Sequence, residues 1–147
     1  LQMKPPPLDL NGKTQPHDHG EILAEDFVIR RISEQQITTD SATGKRKVSS
    51  LAFKGSSDIN GSMSVDIEKL IVAAGLRPEA YVTTPRWVGS IRIEVAPIRT
   101  KNCLVGFDPL PENPYHGGIW GNFNRDTQNA IRQASNWLVE IKDVALQ

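Results

Sequence analysis

The clearest hydrophobic pattern in the chain is a two-residue alternation at positions 90–95, where Ile91, Ile93 and Val95 interleave with Ser90, Arg92 and Glu94. That period belongs to a half-buried strand, and Pro97 either ends it or marks a sheet edge. A different period precedes it. Ile67, Leu70, Ile71 and Ala74 fall at helical spacing, with Asp66 placed to cap the start and Gly75 where a left-handed residue closes a helix. Phe27-Val28-Ile29, followed by Arg30-Arg31-Ile32, predicts a first strand, and residues 48–53 a short second one. Between them, the polar segment 38–47 with Gly44 predicts an exposed hairpin-like turn. Residues 54–62 read as loop, and Met63-Ser64-Val65 as a brief strand.

Residues 103–107 are apolar without alternation, which predicts a central strand covered on both faces. The segment 108–121 that follows is dense in proline and glycine and predicts an irregular loop. Asn124 or Asp126 then caps a final helix whose apolar stripe is Ala130, Ile131, Ala134, Trp137, Leu138 and Ile141. Residues 1–20, with Pro5-Pro6-Pro7 and few apolar anchors, predict a disordered proline-rich tail. The remainder, 21–147, predicts a single α+β domain, a mixed or antiparallel sheet packed by two amphipathic helices on one face.

Composition narrows the functional classes. With 38% hydrophobic and 23% charged residues in 147, the chain has enough apolar content for a core. Seventeen Lys and Arg balance seventeen Asp and Glu, so no global field draws the chain to nucleic acid or an anionic membrane. Local clusters remain, Lys45-Arg46-Lys47 with Lys54, and Arg86, Arg92, Arg99 and Lys101, which keep nucleic acid open as a partner. The one cysteine, Cys103, reads as a small buried hydrophobe, and the expected setting is soluble and cytoplasmic.

Candidate chemistry centres on His116, the one histidine outside the tail. It could serve as general acid or base, with Gly117-Gly118 turning N–H groups toward an anion or carbonyl. Ser49, Ser50, Asp108 and Glu112 are available as nucleophile or orienting carboxylate. A purely structural role is the alternative, with His116 bonded to a backbone carbonyl and Tyr115 and Trp120 packed on the sheet. Arg30-Arg31 places adjacent cations on opposite sheet faces, suited to an anion clamp or to a salt bridge with Glu94. His17-x-His19 supplies two imidazoles without the further ligands of a metal site, so no metal and no cofactor is expected. The chain contains no G-x-x-x-x-G-K-[ST], G-x-G-x-x-G, G-x-S-x-G or H-E-x-x-H motif.

The residues Arg30-Arg31, Val48-Ser49-Ser50-Leu51-Ala52-Phe53, Met63-Ser64-Val65-Asp66, Asp108-Pro109-Leu110-Pro111-Glu112-Asn113-Pro114-Tyr115-His116 and Gly121 together resemble a family of small bacterial proteins of uncharacterised activity, over residues 27–140. A fainter resemblance is to ADP-ribosyltransferases. It implies that Arg30 or Arg31 grips a dinucleotide, Ser49 or Ser50 holds the ribose side and Glu94 is the catalytic acid. Arg92-x-Glu94 departs from the Glu/Gln-x-Glu pair often found in that family.

Two functional expectations follow. The first is an accessory or interaction domain of a bacterial defence or toxin-related system, which binds a protein partner through residues 108–121 with Tyr115, Trp120, Trp87 and Asn113 as contacts. The second is an enzyme acting on a nucleotide or nucleic acid through His116, Glu94, Ser49 and Arg31. No membrane partner is expected, and the sequence leaves the oligomeric state open.

Overall fold

In the computed structural model, which describes residues 2–57 and 61–147, the β-branched run after Asp26 forms β1 (Phe27–Ile32). It lies inside a six-stranded antiparallel sheet with β4 (Met63–Ile67), β5 (Gly89–Glu94), β6 (Leu104–Phe107), β7 (His116–Trp120) and β8 (Ser135–Val139), in the order β6-β7-β4-β1-β5-β8. A second sheet joins β2 (Ile37–Thr39), β3 (Arg46–Val48) and β9 (Val144–Ala145). The hairpin expected across 38–47 is the β2–β3 turn, with Thr39 opposite Arg46 and Gly44 at φ +72°. Among the described residues, four α-helices complete a small α+β domain: α1 (Glu68–Ala73), α2 (Pro78–Val82), α3 (Val95–Thr100) and α4 (Arg125–Gln133).

Side chains alternate along β1, so Val28, Arg30 and Ile32 share one face and Phe27, Ile29 and Arg31 the other. The first face carries the main core, in which Val28 and Ile32 join Phe53, Ile98 and Ile131. On the second, Ile29 packs with Ile71 of α1 and Val82 of α2 in a smaller cluster. Helices therefore cover both faces rather than one. A sheet with apolar side chains on both sides requires cover on both.

Several expected elements differ in the structure. Asp66 is the penultimate residue of β4, not a helix cap; the N-cap position of α1 is Ile67, which makes no side-chain capping bond. Residues 48–53 divide into the end of β3 and a 3₁₀ turn, Ser50–Phe53, whose N-cap Ser49 accepts a hydrogen bond from the Leu51 N–H. Pro97 lies in the first turn of α3, where a missing N–H leaves no helical bond unmade. Asn124 caps α4 by accepting from the Thr127 N–H, but that helix stops at Gln133. Trp137 and Leu138 belong instead to β8, where Trp137 faces Ile91 of β5. The loop expected over 54–62 includes residues 58–60, which lie outside the described residues.

The segment 108–121 is not irregular throughout, because residues 116–120 form β7 with every side chain buried. Glycines suit this strand, since a Cβ on Gly118 would come within 2.9 Å of both Ser62 Cβ and the Trp120 ring. The run 103–107 contributes an edge strand, β6, rather than a central one. Its outer edge is covered by the N-terminal segment, which is a strap and not a disordered tail. Asp18 accepts from the Val105 N–H at 3.0 Å, and the His19 N–H donates to the Val105 carbonyl at 2.9 Å. Met3 and His19 of the strap are themselves buried. Among the described residues, no helix is long and apolar enough to cross a membrane.

Candidate functional site

Strand register assembles a polar row on the Ile29 face. Ile29 stands opposite Asp66, and Asp66 opposite His116, so three neighbouring strands place these side chains next to one another. Arg31, two residues beyond Ile29 on the same face, reaches back to Asp66. Its Nε and Nη2 donate to Oδ2 and Oδ1 at 2.8 and 3.0 Å, a bidentate pair. The Arg31 guanidinium also lies 5.5 Å from the centre of the Tyr81 ring. The carboxylate accepts a third bond, from Asn113 Nδ2 at 2.7 Å.

Asn113 thereby fixes the loop before β7. Its Oδ1 accepts from the Tyr81 hydroxyl at 2.7 Å and from the Tyr115 N–H at 3.2 Å. The Tyr81 and Tyr115 rings meet edge-on at 5.2 Å. Burial and the nearby Asp66 carboxylate raise the Tyr81 hydroxyl pKa above its ordinary value, so it stays a donor near neutrality.

His116 Nδ1 carries the proton given to the Asp108 carbonyl at 2.8 Å, and it lies 3.3 Å from the Asp108 carboxylate. Burial alone would push the imidazole pKa down. The bonds to Asp108 and the charges of Asp108 and Asp66 outweigh it, leaving His116 above the ordinary imidazole value. The same balance acts in reverse on Asp108, where burial pushes upward but bonds from His116 and Thr14, with the charges of His116 and His17, hold the carboxyl below its usual range. Thus the imidazole has the carbonyl partner expected of a structural histidine and an orienting carboxylate as well.

These groups open onto a cleft of about 300 Å³. Arg30, Arg31, Asp66, His116 and Asn113 line it with Ser64 and Val65; Trp87, Leu110 and Glu112 complete its walls. Arg30 enters from the opposite face of β1, its Nε donating to the Ala52 carbonyl and its Nη1 to the Ser64 carbonyl, each at 2.9 Å. The cleft can hold a small polar group between a fixed loop and two guanidinium ions.

Of the residues singled out from the sequence, Arg30, Arg31, Trp87, Glu112, Asn113 and His116 meet at this cleft. Tyr115 stands behind it, against Tyr81. Glu94 does not join them. It is exposed and pairs with Phe27, four residues along β1 from Arg31, a separation of roughly 13 Å along a strand. The ion pair expected between an arginine of β1 and Glu94 is therefore made with Asp66. Ser49 is occupied in capping its 3₁₀ turn. Trp120 is 6% exposed and lies 5.4 Å from the His17 ring, inside the fold and not on its surface. Arg86 stacks over Trp87 at 4.8 Å.

Asp66 is the site residue that sequence reasoning misplaced. Its signal was present in the strict alternation of Met63, Val65 and Ile67 with Ser64 and Asp66, which puts the carboxylate on a strand face. Comparison of the chain with protein-family models, curated proteins and solved structures gives no match. Among the described residues, no three His, Cys, Asp or Glu side chains are grouped to hold a metal ion.

Proposed function

We propose that this protein is a binding module that takes a protein partner at the cleft between β1, β4 and the loop 108–115. The observation that carries the reading is the anchoring of Asn113, whose side-chain amide ties the loop to Asp66, Tyr81 and the Tyr115 backbone. A loop already held in one shape loses little conformational freedom on association, so more of the contact energy appears as affinity. Pro109, Pro111 and Pro114 stiffen the exposed parts of the same loop, and Trp87 supplies an aromatic surface across the cleft. The contact set is Trp87, Leu110, Glu112 and Asn113, with Tyr115 as support and Trp120 inside the fold.

The ADP-ribosyltransferase-like reading has weaker support, because neither Glu94 nor Ser49 lines the cleft that Arg31 and His116 share. A bacterial, cytoplasmic and defence-related setting belongs to this proposal through the sequence resemblance and the composition alone.

The test is a photo-crosslinking side chain, p-benzoylphenylalanine, placed at Glu112 in one variant and at Glu94 in another, in cells of the source organism. A discrete adduct from position 112 and none from position 94 is the expected result. Equal adducts at both positions, or NAD consumption by the wild-type chain that Glu94→Gln abolishes, would overturn the proposal.

A further inference from the structure

Arg30 is set apart from the other arginines that line or border the sheet. Arg31 is paired with Asp66, Arg92 with Glu68, Arg99 with Asp18 and Arg46 with Glu34. Arg30 has no carboxylate partner among the described residues. Its guanidinium is held by two backbone carbonyls, Ala52 and Ser64, which use two of its five N–H groups and leave three without a protein acceptor there. Arg132 shares the two-carbonyl arrangement, through Val48 and Leu146, but the Phe53 ring covers its flat face at 4.7 Å. Arg30 instead lines the cleft.

We propose that Arg30 is the recognition point for one carboxylate of the protein partner, either a chain terminus or an Asp or Glu side chain. The inference rests on reading the cleft as the partner site. Charge selects the ligand. Asp66 neutralises Arg31, Asp108 stands against His116 and Glu112 is exposed at the rim, so among the described residues Arg30 is the cleft-wall cation without a paired carboxylate. That suits a singly charged carboxylate. A doubly charged phosphate would leave one charge facing Asp66 and, at the rim, Glu112. The carbonyls fix the orientation of the guanidinium before anything binds, and its planar fork matches two carboxylate oxygens. Burial lowers the Arg30 pKa to about 10, so it remains charged near neutrality while lacking the counter-ion that burial calls for. Trp87 and Leu110 offer apolar wall for the residue that bears the carboxylate.

The test is a titration of the full ¹⁵N-labelled chain, following the arginine Nε–H resonances at constant ionic strength. The probes are sodium acetate, sodium phosphate, and two short acetylated peptides, one with a free C-terminus and no acidic side chain, the other amidated with one Glu. Acetate should move the Arg30 resonance saturably while the paired Arg31 resonance stays nearly still. One peptide should saturate at least tenfold below acetate, which names the source of the carboxylate, and Arg30→Gln should abolish peptide binding. If the variant does not fold, the wild-type titration still decides. Saturation by phosphate and not by acetate, or by none of the probes, would overturn the inference. A Glu112 crosslink with no carboxylate titration defeats this inference and leaves the partner reading standing. Acetate saturation with no crosslink overturns the partner reading, and with it the protein source of the ligand, and leaves only a carboxylate site at Arg30.

Discussion

Arg31 and Asp66 sit on different strands and meet through two parallel hydrogen bonds of 2.8 and 3.0 Å, with the Asp66 side chain 4% exposed and that of Arg31 22%. Breaking such a pair from one side leaves a charge with no partner in a poorly solvated place. Asp66→Asn should therefore cost roughly 3 kcal/mol in urea denaturation. The double variant Asp66→Asn with Arg31→Met should recover part of that loss, since the stranded charge is then gone. No recovery would mean that the cost lies in packing rather than in charge.

Asn113 is the link between that pair and the loop. Asn113→Ala removes the acceptor of Tyr81 and Tyr115 and the donor to Asp66. The loop should loosen before the fold does. Hydrogen exchange of the Tyr115 amide should accelerate at least tenfold while amides within the β1–β5 pairing keep their protection. Equal acceleration at both would show global destabilisation instead.

The His116–Asp108 pair gives stability a pH dependence with a definite sign. His116 is held above the ordinary imidazole pKa, so the folded chain binds its proton more tightly. That contribution is complete below about pH 6.5 and is lost as pH rises through the higher folded value. Asp108 is held below the ordinary carboxyl pKa. Its contribution is complete above about pH 4 and is lost as pH falls through the lower folded value. Thermal melting should show a plateau between these limits, and His116→Gln should flatten the decline on the alkaline side. A wild-type melting temperature that rises from about pH 6 to 8 would contradict the assignment.

Gly106 is where the strap meets the sheet. A Cβ there would lie 2.6 Å from the His17 ring and 2.7 Å from the His17 carbonyl. Gly106→Ala should lift the strap from β6. Because the Val105 N–H is bonded to Asp18, its exchange should rise together with proteolytic cleavage within residues 2–19. Unchanged protection of Val105 would show that the strap can shift without detaching.

Trp120 separates a core role from a surface role. Trp120→Ala should cost about 3 kcal/mol or more, as for other buried aromatics. Trp87→Ala, at the cleft wall, should cost under about 1 kcal/mol and weaken partner crosslinking instead. The reverse ranking in denaturant would return Trp120 to the surface.

Local pattern was enough for much of the fold. The alternation at 90–95 predicts β5 with Ser90 to Glu94 in place, and β1 follows from its β-branched run. The helical spacing ending at Gly75, which has φ +79°, and the cap at Asn124 are legible because side-chain period and capping chemistry act within a few residues. Tertiary structure decided what the same patterns leave open. The apolar content of 130–141 suits helix or strand, and the edge of β5 draws Ser135–Val139 into the sheet, where pairing satisfies its backbone. Arg31 chose Asp66 over Glu94 because register brought that carboxylate within reach and left Glu94 at the far end of β5. His116 acquired its Asp108 partner when β7 folded back on β6, and Gly106 its meaning when His17 packed against it. Each of these contacts joins positions whose proximity comes from strand order, and strand order is a property of the whole chain's burial and hydrogen bonding.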